Sequence, residues 1–375
     1  MPRKALLITF IGSLAVIIMV AASMPATPHA AADQLLQGVP RLDGYRIYFS
    51  ESAGEASRFD RTTEGLSRFA GLLELQGAQL YTLEWRNGIP ADADLIVIAG
   101  LGGDLNAQYT AWLWDYLQDG GRLLFLVDPR IGKTGIASAS GIFELLWTDM
   151  GLRGRNDLVM AESGETIEVI PPTPRAARDQ ATPTPPPPVS VPRMITQFAT
   201  GNINASHPIG AGFTDTLTFF GARSLESDEA PRQSQVTSLV FTDSNFYGET
   251  DFTTYLSTGY VEYNIGTDTG RGNLVLASAL ENTVTGTRMI FIGDRQFALN
   301  GYGLQTSPSY SGSFLYPGNV RFLLRAAAWL LDADMTDTVE LTFPTPGPTS
   351  TPTITPSPTP LPTATPVPDA GESGS

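Results

Sequence analysis

The chain has 375 residues, a formal net charge of −15 at pH 7, no cysteine and two histidines. This composition excludes disulfides, thiolate metal sites and cysteine nucleophiles, and, because His29 lies in the leader, it excludes a two-histidine metal site in the mature domain. A strongly acidic surface repels nucleic acid, so we expect no nucleic-acid partner. No metal or other cofactor is predicted.

The N-terminal segment, residues 1–32, is typical of a signal peptide or a membrane anchor. Arg3 and Lys4 precede an uncharged, mostly apolar run over residues 5–22, and an A-x-A pattern ends at Ala32. The apolar run is also just long enough to span a bilayer. Both alternatives place the remainder outside the cytoplasm, either held to the cell membrane by a single span or secreted after cleavage.

Two tracts rich in proline and threonine predict disorder. The tail, residues 340–375, and an internal tract, residues 171–193, contain too many prolines and too few apolar residues to build a packed core. The internal tract therefore reads as a disordered insert within one folded domain, residues 44–332.

Within that domain, apolar strands alternate with amphipathic helices. In the first part of the domain, the patterns predict strands over 45–50, 78–84, 93–100 and 122–127, with helices between Asp60 and Gly77 and over 105–119. In the second part, they predict a helix over 141–152, strands over 214–225, 235–243, 273–280 and 288–294, and a closing helix over 319–332. Strands separated by helices in this way predict an α/β domain with a parallel sheet, right-handed crossovers and helices on both faces.

Two glycine motifs resemble phosphate-binding loops and fail on spacing. Residues 132–134, Gly-Lys-Thr, would need a glycine where Val127 stands, inside a strand, so they predict an exposed loop. Gly100 and Gly102 follow a strand and precede a helix, but Leu105 occupies the third position, where a dinucleotide fold needs glycine. A tight strand-to-helix turn explains this second motif.

Nucleophilic catalysis has no sequence signature here. There is no G-x-S-x-G motif, and His207 stands beside a proline in an apparent loop, where we expect a turn histidine satisfied by backbone. We therefore predict no catalytic residue. A pair of carboxylates acting in hydrolysis stays an alternative, because such pairs are close in space rather than in sequence.

The candidate ligand-binding residues stand at the ends of the predicted strands. They are Ser50, Gly100, Asp128, Arg130 and Asp294. Open α/β sheets bind ligands outside the carboxyl ends of their strands. Asp128 and Asp294 end two of the most apolar strands, and each is a ligand-binding group or a cap of the following turn.

Four segments together resemble one family. They are "ADLIVIAG" leading to "LNAQYTAWLWDYLQDGGRLLFLVDP", "SHPIGAGFTDTLTFFGARSL", "TSLVFTDSNFYGETDF", and "TRMIFIGDRQFALN" leading to "GNVRFLLRAAAWLL". In this order they resemble the auxiliary subunits of gliding-motility-type ABC transporters, over roughly residues 44–332. The chain departs from that family in lacking a C-terminal transmembrane helix and in carrying Arg295 where a small residue is usual.

The resemblance implies a flavodoxin-like, class I glutamine-amidotransferase-like fold without that fold's nucleophile, and an ABC permease as partner. We therefore expect an exported, non-enzymatic binding or scaffolding module that binds a carbohydrate or another envelope component, or docks on an ABC permease. The alternatives are a carboxylate-dependent hydrolase of envelope glycans, using Asp128 and Asp294, and a purely structural surface protein.

Overall fold

The computed structural model describes residues 39–52, 54–101, 105–129, 141–170, 187–228, 233–307, 313–336 and 338–339. The chain divides into two units, Met1–Phe343 and Pro344–Ser375, and all described residues belong to the first. The predicted leader (1–32), most of the proline-rich insert (171–186) and the tail (340–375) lie outside the described residues. None of the helices within the described ranges is both long and apolar enough to cross a bilayer.

The described secondary structure comprises strands and five α-helices, numbered here in chain order. The strands are β1 (Val39–Pro40), β2 (Arg46–Ser50), β3 (Gln79–Leu83), β4 (Leu95–Ala99), β5 (Arg122–Leu126), β6 (Leu152–Gly154), β7 (Leu158–Val169), β8 (Val189–Ile195), β9 (Phe198–Thr200), β10 (Leu217–Phe219), β11 (Leu225–Ser227), β12 (Ser234–Phe241), β13 (Tyr247–Glu249), β14 (Val275–Asn282), β15 (Thr287–Ile292) and β16 (Thr338–Val339). The helices are α1 (Ser67–Leu75), α2 (Ala107–Gln118), α3 (Ile142–Met150), α4 (Phe252–Thr258) and α5 (Pro317–Leu330).

The central sheet has a parallel half and an antiparallel half. Five parallel strands lie in the order β3-β2-β4-β5-β15, and β14, β11 and β6 continue the sheet antiparallel, with β12 also pairing with β14. Counted along the chain, the parallel strands have the order 2-1-3-4-5, which is one of the two common doubly wound orders. The predicted α/β class is therefore confirmed, but the sheet is parallel only over these five strands, and its antiparallel half was not predicted.

Helices cover both faces of this sheet, because the parallel strands are apolar on both sides. Alternate strand residues such as Val97 and Leu124 pack with α1 and α5, whereas their neighbours, such as Ile98 and Phe125, pack with α2 and α3. Such two-sided burial explains why these strands are continuous apolar runs.

The structure differs from the sequence-based expectation in the proline-rich insert. Residues 189–193, assigned to the disordered tract, belong to β8, which pairs antiparallel with β7. Because β8 is the edge strand of the small β13-β7-β8 sheet, Pro192 need not donate a hydrogen bond to a second neighbour. The polar residues of β7 gave no apolar run that would predict this hairpin.

Two local predictions also change. Asp60 does not cap α1, which begins at Ser67 with no side-chain cap; Asp60 instead accepts from the Thr62 amide at 2.7 Å. The strand predicted over 214–225 is divided into β10 and β11 by a turn that contains Gly221. Asn106 caps α2, accepting from the Tyr109 amide at 2.9 Å.

Candidate ligand-binding site at the carboxyl ends of the parallel strands

Strand register brings three of the predicted site residues to one edge of the sheet. The Gly100 amide donates to the Leu126 carbonyl at 2.7 Å, and the Val127 amide donates to the Ile292 carbonyl at 3.0 Å. The ends of β4, β5 and β15 are therefore level, and Gly100, Asp128 and Asp294 follow them at the same edge.

Asp294 is fully buried at this edge. One carboxylate oxygen accepts from the Phe220 amide at 2.7 Å, and the other accepts from the Gln296 amide at 2.8 Å. Burial, and then the negative charge of Asp128, raise the pKa of Asp294 to about 7. The carboxyl group therefore ties the turn after β10 to the end of β15, and no part of it is exposed to solvent.

Asp128 is about one-third exposed and faces Arg295. Its Oδ1 accepts from the Arg295 amide at 2.7 Å, and its Oδ2 lies 2.7 Å from the Arg295 Nε. Burial raises the pKa of Asp128, and the hydrogen bonds and positive charge of Arg295 oppose that rise. Asp128 is thus a partly accessible carboxyl group with a built-in counter-ion.

Arg295 extends from Asp128 across Gly100 towards Glu64. Its Nη2 lies 3.4 Å from the Glu64 Oε2, and the Arg295 and Glu64 side chains are 31% and 47% exposed. Gly100 has a φ of +80°, and a Cβ placed there would be 2.5 Å from the Arg295 Cδ. We call the chain of ion pairs Asp128–Arg295–Glu64 the Arg295 bridge. It spans the edge from the end of β5 to the loop after β2.

Sequence reasoning noted Arg295 only as a departure from the family pattern, and it missed Glu64. The two residues are 231 positions apart in the chain. No local pattern indicates such a pair, whereas an arginine directly after a strand-end aspartate was a usable signal.

Ser50 is separated from the Arg295 bridge by its hydrogen bonds. The side chain is buried, with its hydroxyl donating to the Glu55 Oε1 at 2.5 Å and accepting from the Trp85 Nε1 at 2.7 Å. Ser50 therefore fixes the end of β2 against Trp85. Arg130, the fifth predicted site residue, lies outside the described residues, as do Gly102 and residues 132–134.

Arg223 holds the end of β5 in place through hydrogen bonds. Sequence reasoning did not single out this residue. It is buried and donates from Nε to the Arg155 carbonyl at 2.5 Å, from Nη2 to the Gly154 carbonyl at 2.7 Å, and from Nη1 to the Asp128 carbonyl at 3.3 Å. The guanidinium links the parallel and antiparallel halves of the sheet. The "GARSL" segment was the signal that could have indicated this role.

His207 lies at the opposite edge of the sheet. It packs against Trp329, near the end of α5, with ring centroids 4.9 Å apart, and its Nδ1 accepts from the Ile209 amide at 3.3 Å. Burial lowers the pKa of His207; the negative charge of Glu281 opposes this shift, and the positive charge of Arg288, near the start of β15, adds to it. His207 is therefore a turn histidine, remote from the carboxyl ends of the strands.

The described ranges contain no cluster of three or more histidine, aspartate or glutamate side chains arranged to hold a metal ion. The chemistry at the edge of the parallel sheet is that of a charged surface whose carboxylates are held by backbone amides and by one arginine.

These features define an α/β protein with a doubly wound parallel sheet and an ion-paired surface at its carboxyl edge. The chain belongs to the family described as an ABC-type uncharacterized transport system, whose sequence model matches residues 46–326. Comparison with curated proteins finds no significant match.

Among solved structures, the chain is similar to the mmIFT52 N-terminal domain, with 14% identity and a TM-score of 0.46 over 76% of this chain and 97% of that one. It is also similar to a putative ThuA-like protein from Bacteroides uniformis, with 9% identity and a TM-score of 0.37 over 77% and 91% of the two chains. A putative ThuA-like protein from Parabacteroides merdae matches with 11% identity and a TM-score of 0.37 over 80% and 93%. Likenesses this distant say nothing of function.

Proposed function

We propose that this protein is a non-enzymatic auxiliary component of an ABC transport system, exported so that its domain over residues 44–332 lies outside the cytoplasm. In this proposal the leader anchors it in the membrane or is cleaved, and the domain is a glutamine-amidotransferase-like fold that has lost its nucleophile. Membership in the ABC-type transport family supports the transport role.

The observation that carries a binding role is the Arg295 bridge. Its charged groups are one-third to one-half exposed, and all three are already held in place by each other. A partner that meets such a surface finds oriented charges and loses little side-chain entropy on binding. The surface also lies at the edge where doubly wound sheets bind their ligands.

The same geometry argues against catalysis at this edge. The Asp294 carboxyl group is buried and accepts two backbone amides, so it has no access to a substrate. The Ser50 hydroxyl is enclosed between Glu55 and Trp85, and His207 lies at the other edge of the sheet. We therefore propose that the Arg295 bridge docks on an extracytoplasmic loop of the permease.

The test is co-purification of the full chain with the ABC permease and ATPase encoded beside it. We expect the three to elute together, and we expect a Glu64→Gln, Arg295→Gln double variant to elute separately. The control is Glu165→Gln, Arg193→Gln, which removes an exposed ion pair of the β7–β8 hairpin. A double variant at the Arg295 bridge that co-elutes as the wild type does would contradict docking there, and so would the absence of such genes.

One observation favours the hydrolase alternative. The pKa of Asp294 is raised, and a second carboxyl group, that of Asp128, lies beside it. Two neighbouring carboxyl groups, one with a raised pKa, are typical of the acid–base pairs of hydrolases. Hydrolysis of envelope glycans by the wild type that disappears in Asp128→Asn would establish this alternative and refute the non-enzymatic proposal. We expect no turnover in either protein.

A further inference from the structure

A second feature lies beside α1, outside the site described above. It is an open cleft of about 460 Å³, here called the arginine cleft, lined by Arg58, Phe59, Arg61, Ser67, Arg68, Ala70, Gly71 and Glu74. Three guanidinium groups therefore line one depression of a protein whose net charge is −15.

These three arginines differ from most others in the described part of the chain. The arginines that lie within ion-pair distance of a carboxylate are Arg41, Arg46, Arg86, Arg153, Arg155, Arg193, Arg271, Arg288, Arg295 and Arg321. For Arg58, Arg61 and Arg68, no carboxylate of the described residues lies at that distance. An acidic protein has more than enough carboxylates to pair with every arginine. Three neighbouring arginines without such a partner therefore call for a structural explanation.

The donors in the cleft are fixed by their surroundings. The Arg68 Nη1 donates to the carbonyls of Asn300 and Leu304, which holds its guanidinium in place. The Ser67 hydroxyl oxygen accepts from the Asn300 Nδ2 at 3.1 Å, so its proton remains for another acceptor. Burial lowers the pKa of Arg68, which marks a cation held out of full solvation.

Arg58 is the second arginine of the cleft whose guanidinium is held in position. Its guanidinium carbon lies 4.0 Å above the ring of Phe59, which is 65% exposed. Its Nε is buried and has no hydrogen-bond partner among the described residues. Because this Nε is closed to solvent, the stacking on Phe59 holds the guanidinium in place at the cleft, and a ligand would be met by the other guanidinium nitrogens.

We propose that the arginine cleft binds a soluble small molecule through its phosphate ester group. Guanidinium groups match the tetrahedral oxygens of a phosphate in paired hydrogen bonds, and three of them with a serine hydroxyl form a set of donors. Glu74, the carboxylate in the lining, stands about 9 Å along α1 from Arg68, far enough to leave room for a phosphate between the arginines. The exposed ring of Phe59 offers an apolar contact to the rest of the ligand.

This proposal is independent of the proposed transport role, because it rests on residues outside the Arg295 bridge. The test is calorimetric titration of the full chain with inorganic phosphate and with glycerol 3-phosphate, at low and at physiological salt. We expect saturable binding in the millimolar range or tighter, stronger for the ester, and weakened by salt.

The double variant Arg58→Gln, Arg61→Gln should weaken binding roughly tenfold or more, because both residues lose charged hydrogen bonds to the phosphate. Arg61 is exposed and Arg58 is half-buried, so thermal unfolding checks that the double variant stays folded. The control is Arg193→Gln, an exposed arginine of β8. Equal affinities for the double variant and the control would overturn the proposal, as would the absence of saturable binding by the wild type.

A third arm distinguishes a lipid headgroup from a soluble ester. Vesicles containing phosphatidic acid are sedimented with the wild type and with the double variant. We expect no more co-sedimentation than with vesicles of phosphatidylcholine alone, because the net charge of −15 opposes approach to an anionic bilayer. Vesicle binding that requires Arg58 and Arg61, without binding of glycerol 3-phosphate, would refute the soluble ligand.

Discussion

The side chain of Arg295 passes so close to the Gly100 Cα that only a hydrogen atom fits between them. Gly100 also has a φ of +80°, a conformation that other residues adopt only with strain. Two independent requirements, backbone conformation and close approach, therefore make glycine necessary at the end of β4. They account for the first glycine of the "AGLGGDL" segment.

We expect Gly100→Ala to lower the free energy of unfolding by about 2–4 kcal/mol, because backbone strain and a clash with the Arg295 Cδ add. The control is Gly286→Ala, with a φ of +83° and no atom within 4 Å of the added Cβ, which should lose about 1 kcal/mol. Urea unfolding measures both. In an Arg295→Ala background, the loss at Gly100 should fall to that at Gly286; an unchanged loss would show that Arg295 does not approach Gly100 in solution.

At the scale of elements, one side chain of α5 completes a strand. The Asn319 Oδ1 accepts from the Thr218 amide at 2.8 Å, and its Nδ2 donates to the Thr218 carbonyl at 2.8 Å. The amide thus replaces the neighbouring strand that β10 lacks on this edge. The sequence pattern predicted a closing helix over 319–332, but α5 begins at Pro317 and Asn319 is buried in the core.

Replacing Asn319 with alanine should lower the free energy of unfolding by about 2–4 kcal/mol, because a buried amide and a buried carbonyl of Thr218 lose their partners. The matched control is Asn106→Ala, which removes the cap of α2 near the surface and should lose about 1 kcal/mol. Denaturant unfolding of the two variants compares them. Equal losses would mean that Asn319 acts only as an ordinary residue of the first turn.

The parallel strands were predictable from sequence, and the β7–β8 hairpin was not. Strands β4, β5 and β15 are buried on both faces, so that every residue is apolar except Arg122, Thr287 and Arg288 at the strand starts. In contrast, β7 is exposed over most of its second half, and its partner β8 lies in a proline-rich tract. Exposed strands of this kind leave little periodicity in the sequence.

For the candidate site, sequence reasoning predicted positions but not contacts. Gly100, Asp128 and Asp294 share one edge because parallel strands end there together. That Asp294 is enclosed by backbone amides, and that Asp128 is paired with Arg295, depends on contacts between distant segments. Residue type and spacing do not contain that information.

At the scale of the whole molecule, burial gives several carboxyl groups an unusual pH dependence. It raises the pKa of Asp128, Asp294 and Glu249 above their ordinary values. A carboxyl group with a raised pKa in the folded state binds its proton more tightly there than in the unfolded chain. Its contribution to stability is therefore full at low pH and is lost as the pH rises through the folded-state pKa.

We accordingly expect the protein to become more stable as the pH falls from 7.5 towards 5, since protonation also reduces its net negative charge. His207, whose pKa is lowered by burial, acts in the opposite sense over this range, and Asp92, Glu226 and Asp332, whose pKa values are also lowered, act in that sense mainly below it. The measurement is the midpoint of denaturant unfolding at several pH values. A midpoint that falls steadily on acidification over this range would contradict the burial of these carboxyl groups.

The central claim is that the carboxyl edge of the parallel sheet, at the Arg295 bridge, contacts an ABC permease. A photoreactive amino acid in place of Thr63, the exposed residue beside Glu64, leaves the Arg295 bridge intact. In the full chain co-expressed with its permease and ATPase, we expect a covalent adduct with the permease subunit on irradiation, and none when the same amino acid replaces Glu165 on the β7–β8 hairpin. No adduct from position 63, or equal adducts from both positions, would contradict the claim.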